Sequence, residues 1–106
     1  MALKIYWTDF AKKELKKIFN FYKDEASIRV ASKLTTEIVL EVLKLEKQSN
    51  IGRIEELLKH RGQSFRYLVY KNYKIIYWTN KNKSRIEIID IFDTRQNPIK
   101  ISRSIK

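Results

Sequence analysis

A chain of 106 residues with a formal net charge of +11 is long enough to bury one hydrophobic core and too short for two. Its 43% hydrophobic and 33% charged residues exclude a disordered chain, which would be poorer in large apolar side chains. With no cysteine, a disulfide framework and a thiolate metal site are excluded as well.

The breakers are few: Gly52, Gly62 and Pro98. They predict long regular elements and short connections, with no repeat and no linker, so residues 1–106 read as a single domain. Met1 to Trp7 lacks the apolar stretch of a signal peptide, and no run approaches the roughly 20 apolar residues of a membrane helix. The expected location is the cytoplasm.

Residues 3–7 (LKIYW) are apolar, aromatic or β-branched and predict an edge strand. Thr8 offers an N-cap hydroxyl, and Asp9 suits the positive end of a helix dipole. A first helix follows to Tyr22, with Ala11, Leu15, Ile18, Phe19 and Tyr22 on one stripe and lysines on the other face. Asp24-Glu25 makes a short break. A second helix runs from about Glu25 to Lys47 on the stripe Ala31, Leu34, Ile38, Val42 and Leu45, widened by Ile28, Val39 and Leu43. Two helices joined so tightly form an antiparallel hairpin. Gly52 then suits a positive-φ stop. Residues 53–64 fit a short helical turn or an irregular strand, ended by Gly62.

The period changes after that. Phe65–Tyr70, Tyr73–Thr79 and Arg85–Phe92 are rich in β-branched and aromatic residues, with turns at Lys71-Asn72 and at Asn80–Ser84. The expected fold is α+β: a helical hairpin packed on one face of an antiparallel meander, in the order β-α-α-β-β-β, with the N-terminal strand added at an edge. The other sheet face is expected to keep Trp78 or Tyr77 and several tyrosines among basic side chains, an arrangement that marks an interaction surface.

The charge is uneven. Residues 8–48 carry nine Lys/Arg against seven acids, whereas residues 49–106 carry thirteen against five. Such an excess on the sheet half suits a polyanion or an acidic partner protein, although solvated lysines also serve solubility. Arg66, Tyr70, Lys71, Lys74, Trp78 and Arg95 are the candidate binding residues. Whether Arg66 and Lys74 share a face depends on the hairpin. A two-residue turn at Lys71-Asn72 separates them. A three-residue loop, Lys71–Tyr73, unites them and is the expectation adopted. The segment DTRQNP ends the last strand, because proline cannot continue a ladder, and it fixes the position of Arg95.

His60 is the sole histidine and reads as a surface or capping residue. Asp90 and Asp93 fall on opposite faces of a strand, which argues against a paired-acid site. No phosphate loop, dinucleotide fingerprint or zinc spacing occurs. No metal and no cofactor is called for.

Trp7-Thr8 precedes the helix start A-x-x-E-L (Ala11, Glu14, Leu15). Then come Gly52-Arg53, Arg66, Tyr73–Tyr77 (YKIIY), Ile86–Phe92, and Asp93–Pro98 (DTRQNP). This ordered set resembles the RelE/ParE superfamily of toxins from bacterial type II toxin–antitoxin modules over nearly the whole chain, and the R-Q-N-P ending points to the ParE-like side. The resemblance implies a small toxin held inactive in a hetero-oligomer with an acidic antitoxin, which the +11 charge suits. ParE-like members inhibit DNA gyrase by binding it. RelE-like members cleave mRNA on the ribosome without a metal, and would use Arg66, Lys74 and Arg95 here. For that chemistry Leu68 stands where a further base is expected, and the tail from Ile99 has no Tyr or His, Ile101 standing about where the aromatic would be. Ribonucleolysis needs a proton acceptor and a proton donor. The ParE-like reading needs only a surface.

Overall fold

The computed structural model describes residues 3–104. The chain begins as strand β1 (Lys4–Trp7) and passes at once into helix α1 (Asp9–Glu25). Thr8 makes this junction: its hydroxyl accepts from the Ala11 amide at 3.2 Å and donates to the Ile88 carbonyl at 2.8 Å. One side chain thus caps the helix and ties it to the sheet. The break between helices falls at Ala26-Ser27, slightly beyond the expected Asp24-Glu25, because Ser27 caps helix α2 (Ile28–Leu43) through the Val30 amide at 3.1 Å. Helix α2 tightens into a 3₁₀ turn at Lys44–Glu46, so the expected end near Lys47 is met in a different geometry.

Residues 53–64 hold both expected alternatives in succession. A two-residue strand β2 (Arg53–Ile54) is followed by a 3₁₀ turn, Glu56–Arg61, closed by Gly62 at φ 87°. Strands β3 (Arg66–Tyr70), β4 (Tyr73–Asn80) and β5 (Arg85–Asp93) form the meander. The five-stranded sheet has the order β1-β5-β4-β3-β2, antiparallel except for the parallel β1–β5 pair at the edge.

The register decides which residues meet. Tyr70 pairs with Tyr73 and Arg66 with Tyr77, so the β3–β4 turn has two residues, not three. Lys71 accepts a left-handed φ of 53° to make it. A bulge on β5 pairs Ile76 with Asp90 but Tyr77 with Ile88, leaving Ile89 as the extra residue. The bulge resets the alternation. Ile86, Ile88 and Ile91 join Tyr73, Ile75 and Tyr77 beneath Ile18, Leu34, Ile38 and Val42 of the helices. Ile89 and Phe92 turn instead to the opposite face.

That opposite face is not the open surface expected from the sequence. Leu58 of the 3₁₀ turn and Ile101 of the C-terminal 3₁₀ segment Pro98–Ser104 pack on Phe65, Ile76, Ile89 and Phe92 as a second core. Tyr77 is wholly buried on the helix side, whereas Trp78 is half-buried on the outer side. Gly52 also departs from expectation. It does not stop a helix at positive φ; its backbone passes directly against the Tyr77 hydroxyl.

Candidate functional site

The sequence expectation of one converging cationic face does not hold. The two-residue turn puts Arg66 and Lys74 on opposite faces of the sheet. Arg66 shares the helix-side face with Tyr77 and donates from Nη1 to the Gly52 carbonyl at 2.8 Å. Lys74 lies on the outer face, 4.3 Å above the centre of the Tyr67 ring, with Nζ 2.9 Å from the buried carboxylate of Glu55. Arg95 lies just beyond the end of β5, at the same end of the sheet as Lys74 and the β3–β4 turn. Its guanidinium embraces its own neighbour, Asp93, with Nη2 to Oδ2 at 2.7 Å and Nε to Oδ1 at 3.0 Å.

Of the remaining three, Tyr70 and Lys71 lie at the β3–β4 turn and Trp78 towards the other end of β4. Tyr70 faces helix α2, where the Glu37 carboxylate, together with desolvation, pushes its hydroxyl pKa up to about 12. Lys71 tops the hairpin turn, its Nζ 5.6 Å from the centre of the Tyr70 ring. Trp78 packs edge-on against Phe65 at 6.4 Å on the outer face.

Two of the cations are therefore pledged to acids within the fold. Lys74 anchors the segment after β2 to the sheet, since Glu55 is 3% exposed and has that ammonium as its ion partner. We expect Lys74→Ala to cost about 2 kcal/mol in urea unfolding, by leaving Glu55 buried and uncompensated. Adding Glu55→Gln should recover part of the loss. Arg95 holds the Asp93 carboxyl at a pKa of about 2, helped by the Arg95 amide and Asn72. A depressed acid stabilises the fold above its ordinary pKa of 3.8 and ceases to do so as the pH falls towards 2. Because the Arg95 side chain is 64% exposed, solvent screening keeps the effect small. The stability difference between wild type and Arg95→Ala should be present at neutral pH and shrink through that acid window.

A surface not expected from the sequence lies along the two helices beside the end of β1. Trp7, Leu15, Phe19 and Val39, all half-buried, floor an open groove of about 620 Å3, and the exposed Lys12 and Lys16 stand on its rim. The signal was present. Leu15 and Phe19 lie one turn apart, and Val39 widens the α2 stripe, so both helices carry more apolar face than the sheet can cover.

Comparison with known families adds the decisive observation. The model for the ParE toxin of the type II toxin–antitoxin system, parDE, matches residues 5–98. The chain belongs to this family. No curated protein matches the sequence. Among solved structures, one titled the chromosomal ParDE TA system from P. aeruginosa superposes with a TM-score of 0.72 at 20% identity, over 87% of this chain and 96% of that one. The two share their fold. This ParE toxin thus combines a two-helix, five-strand scaffold with a lysine-rimmed apolar groove, and its sheet cations are dispersed. Among the described residues, no group of three or more His, Cys, Asp or Glu is placed to hold a metal, and no helix is long and apolar enough to cross a membrane.

Proposed function

We propose that this ParE-family toxin acts by binding and inhibiting DNA gyrase, and that a cognate acidic antitoxin neutralises it. The observation that carries the first part is the dispersal of Arg66, Lys74 and Arg95. Cleavage of one phosphodiester needs cations and proton-transfer groups around one phosphorus. Here Arg66 and Lys74 lie on opposite faces of the sheet, and Lys74 and Arg95 already hold carboxylates. A binding mechanism makes no such demand. For the second part, the groove on the hairpin offers apolar side chains between two lysines, which suits an acidic amphipathic segment that orders as it binds.

The test is a pair of assays on toxin released from its antitoxin complex. Inhibition of gyrase supercoiling, with mRNA left intact in a translating extract, is the expected result. Translation-dependent cleavage without any effect on supercoiling would overturn the reading in favour of ribonuclease action. Lys12→Glu with Lys16→Glu should weaken antitoxin capture by about tenfold or more while supercoiling inhibition persists.

A further inference from the structure

An unassigned cleft opens at the end of the sheet remote from Arg95. Strand β4 runs on past the start of β3, so Trp78 to Asn80 extend beyond their neighbour strand. The stretch Lys47–Asn50 after α2 approaches this overhang, Gly62–Ser64 and Arg66 approach with it, and the β4–β5 turn closes one end. The open cleft so formed has a volume of about 790 Å3.

Its chemistry is distinctive in two respects. The lining contains Lys47, Arg66 and Lys81 but no Asp or Glu, although the chain has twelve acids. Among the described residues none of these three cations is in an ion pair. Glu87 lies beside Trp78 on β5, but Arg85 holds it at 2.8 Å and Asn80 at 3.1 Å, so its charge is compensated. The other lining groups are largely uncharged donors and acceptors, including Gln63 and Asn82, around the half-buried indole of Trp78.

We infer that this cleft binds a segment of single-stranded nucleic acid. Lys47, Arg66 and Lys81 neutralise the phosphates, Trp78 offers a ring for stacking a base, and the amides of Gln63 and Asn82 meet base edges. An acidic peptide fits less well, because the wall supplies cations and amides but few of the apolar anchors on which peptide affinity depends. A duplex fits less well too, since its bases are stacked away from any side-chain ring. The inference does not rest on gyrase as the target.

The test uses the full chain and fluorescein-labelled oligothymidine and oligouridine of about 12 nucleotides, read by anisotropy at moderate and high salt. Both strands should bind, more weakly at high salt. A preference for oligothymidine identifies DNA as the ligand, a preference for oligouridine identifies RNA, and equal binding identifies a site that reads no sugar. Lys47→Glu with Lys81→Glu, both exposed and outside the cores, should weaken binding by about tenfold or more. The same charge change placed elsewhere, Lys12→Glu with Lys16→Glu, should leave it within about twofold. Equal loss from both double variants would show general attraction to a basic protein and overturn the assignment. So would equal affinity for a duplex of the same length, or an absence of binding at moderate salt.

Discussion

Replacing Arg103 by methionine should destabilise this toxin by about 3 kcal/mol, although the residue lies three positions from the end of the chain. The C-terminal 3₁₀ segment brings its guanidinium to the sheet edge where β1 has ended. There Nε and Nη2 reach the two carboxylate oxygens of Asp90 at 3.1 and 3.0 Å, and Nη2 also reaches Glu14 on α1 at 2.9 Å. Phe10 and Phe92 flank it, their ring centres 5.4 and 5.2 Å away. Asp90 is wholly buried, so removing its partner leaves a carboxylate with little beyond the Ile91 amide to compensate it. Methionine keeps the apolar stem and removes only the charge. Adding Asp90→Asn to Arg103→Met should restore more than half of the loss, because the amide carries no charge to bury. If Arg103→Met unfolds within about 0.5 kcal/mol of wild type, the anchor contributes little.

The same cluster predicts a pH signature. Burial pushes the Asp90 pKa above its ordinary 3.8 even with Arg103 opposing it. An acid with a raised folded pKa favours the folded state as it takes up its proton, so its contribution improves as pH falls through that window. Without Arg103 the window widens upward. Arg103→Met should therefore recover stability relative to wild type as the pH falls from neutral, so this gap narrows in acid as the Arg95→Ala gap does, although the wild-type contributions of Asp90 and Asp93 change in opposite senses.

What the sequence discloses about this fold tracks how local the determining interaction is. Thr8 as a cap, the helix stripes and the three meander strands depend on neighbours within a few residues, and all are found. The faces of Arg66 and Lys74 depend on one residue in a turn, and Lys-Asn is compatible with two lengths. Nothing nearby in sequence settles that Lys71 takes φ 53°. The second core was illegible for a different reason. Leu58 and Ile101 lie in short irregular segments without periodicity, and their burial comes from contacts with Phe65 and Phe92 that only the folded chain creates. The expected convergence of the candidate residues failed for the first of these reasons: the two-residue turn separates Arg66 from Lys74, while the buried Glu55 and the half-buried Asp93 hold Lys74 and Arg95.

Gly52 shows the same non-local logic at its strongest and carries the other large prediction. Tyr77, buried among the helix-side residues, sends its hydroxyl to the chain between α2 and β2. The oxygen accepts from the Gly52 amide at 2.9 Å and donates to the Ser49 carbonyl at 2.9 Å. Arg66 secures the Gly52 carbonyl from the other side. A Cβ at position 52 would lie 2.5 Å from the Tyr77 oxygen, 2.7 Å from its ring and 2.8 Å from the Tyr67 carbonyl. A buried ring and a strand backbone have nowhere to retreat, so Gly52→Ala should cost about 3 kcal/mol through overpacking. Tyr77→Phe removes the clashing oxygen but orphans an amide and a carbonyl, and should cost about 2 kcal/mol. The double variant is the informative one. If one oxygen contributes to both penalties, Gly52→Ala with Tyr77→Phe should be less destabilised than the sum of the singles by about 1 kcal/mol, with the ring edge at position 77 and the Tyr67 carbonyl sustaining the remainder. Strict additivity in urea unfolding would mean that the alanine is accommodated by moving the loop, and that the Tyr77 hydroxyl does not fix the path from α2 into the sheet.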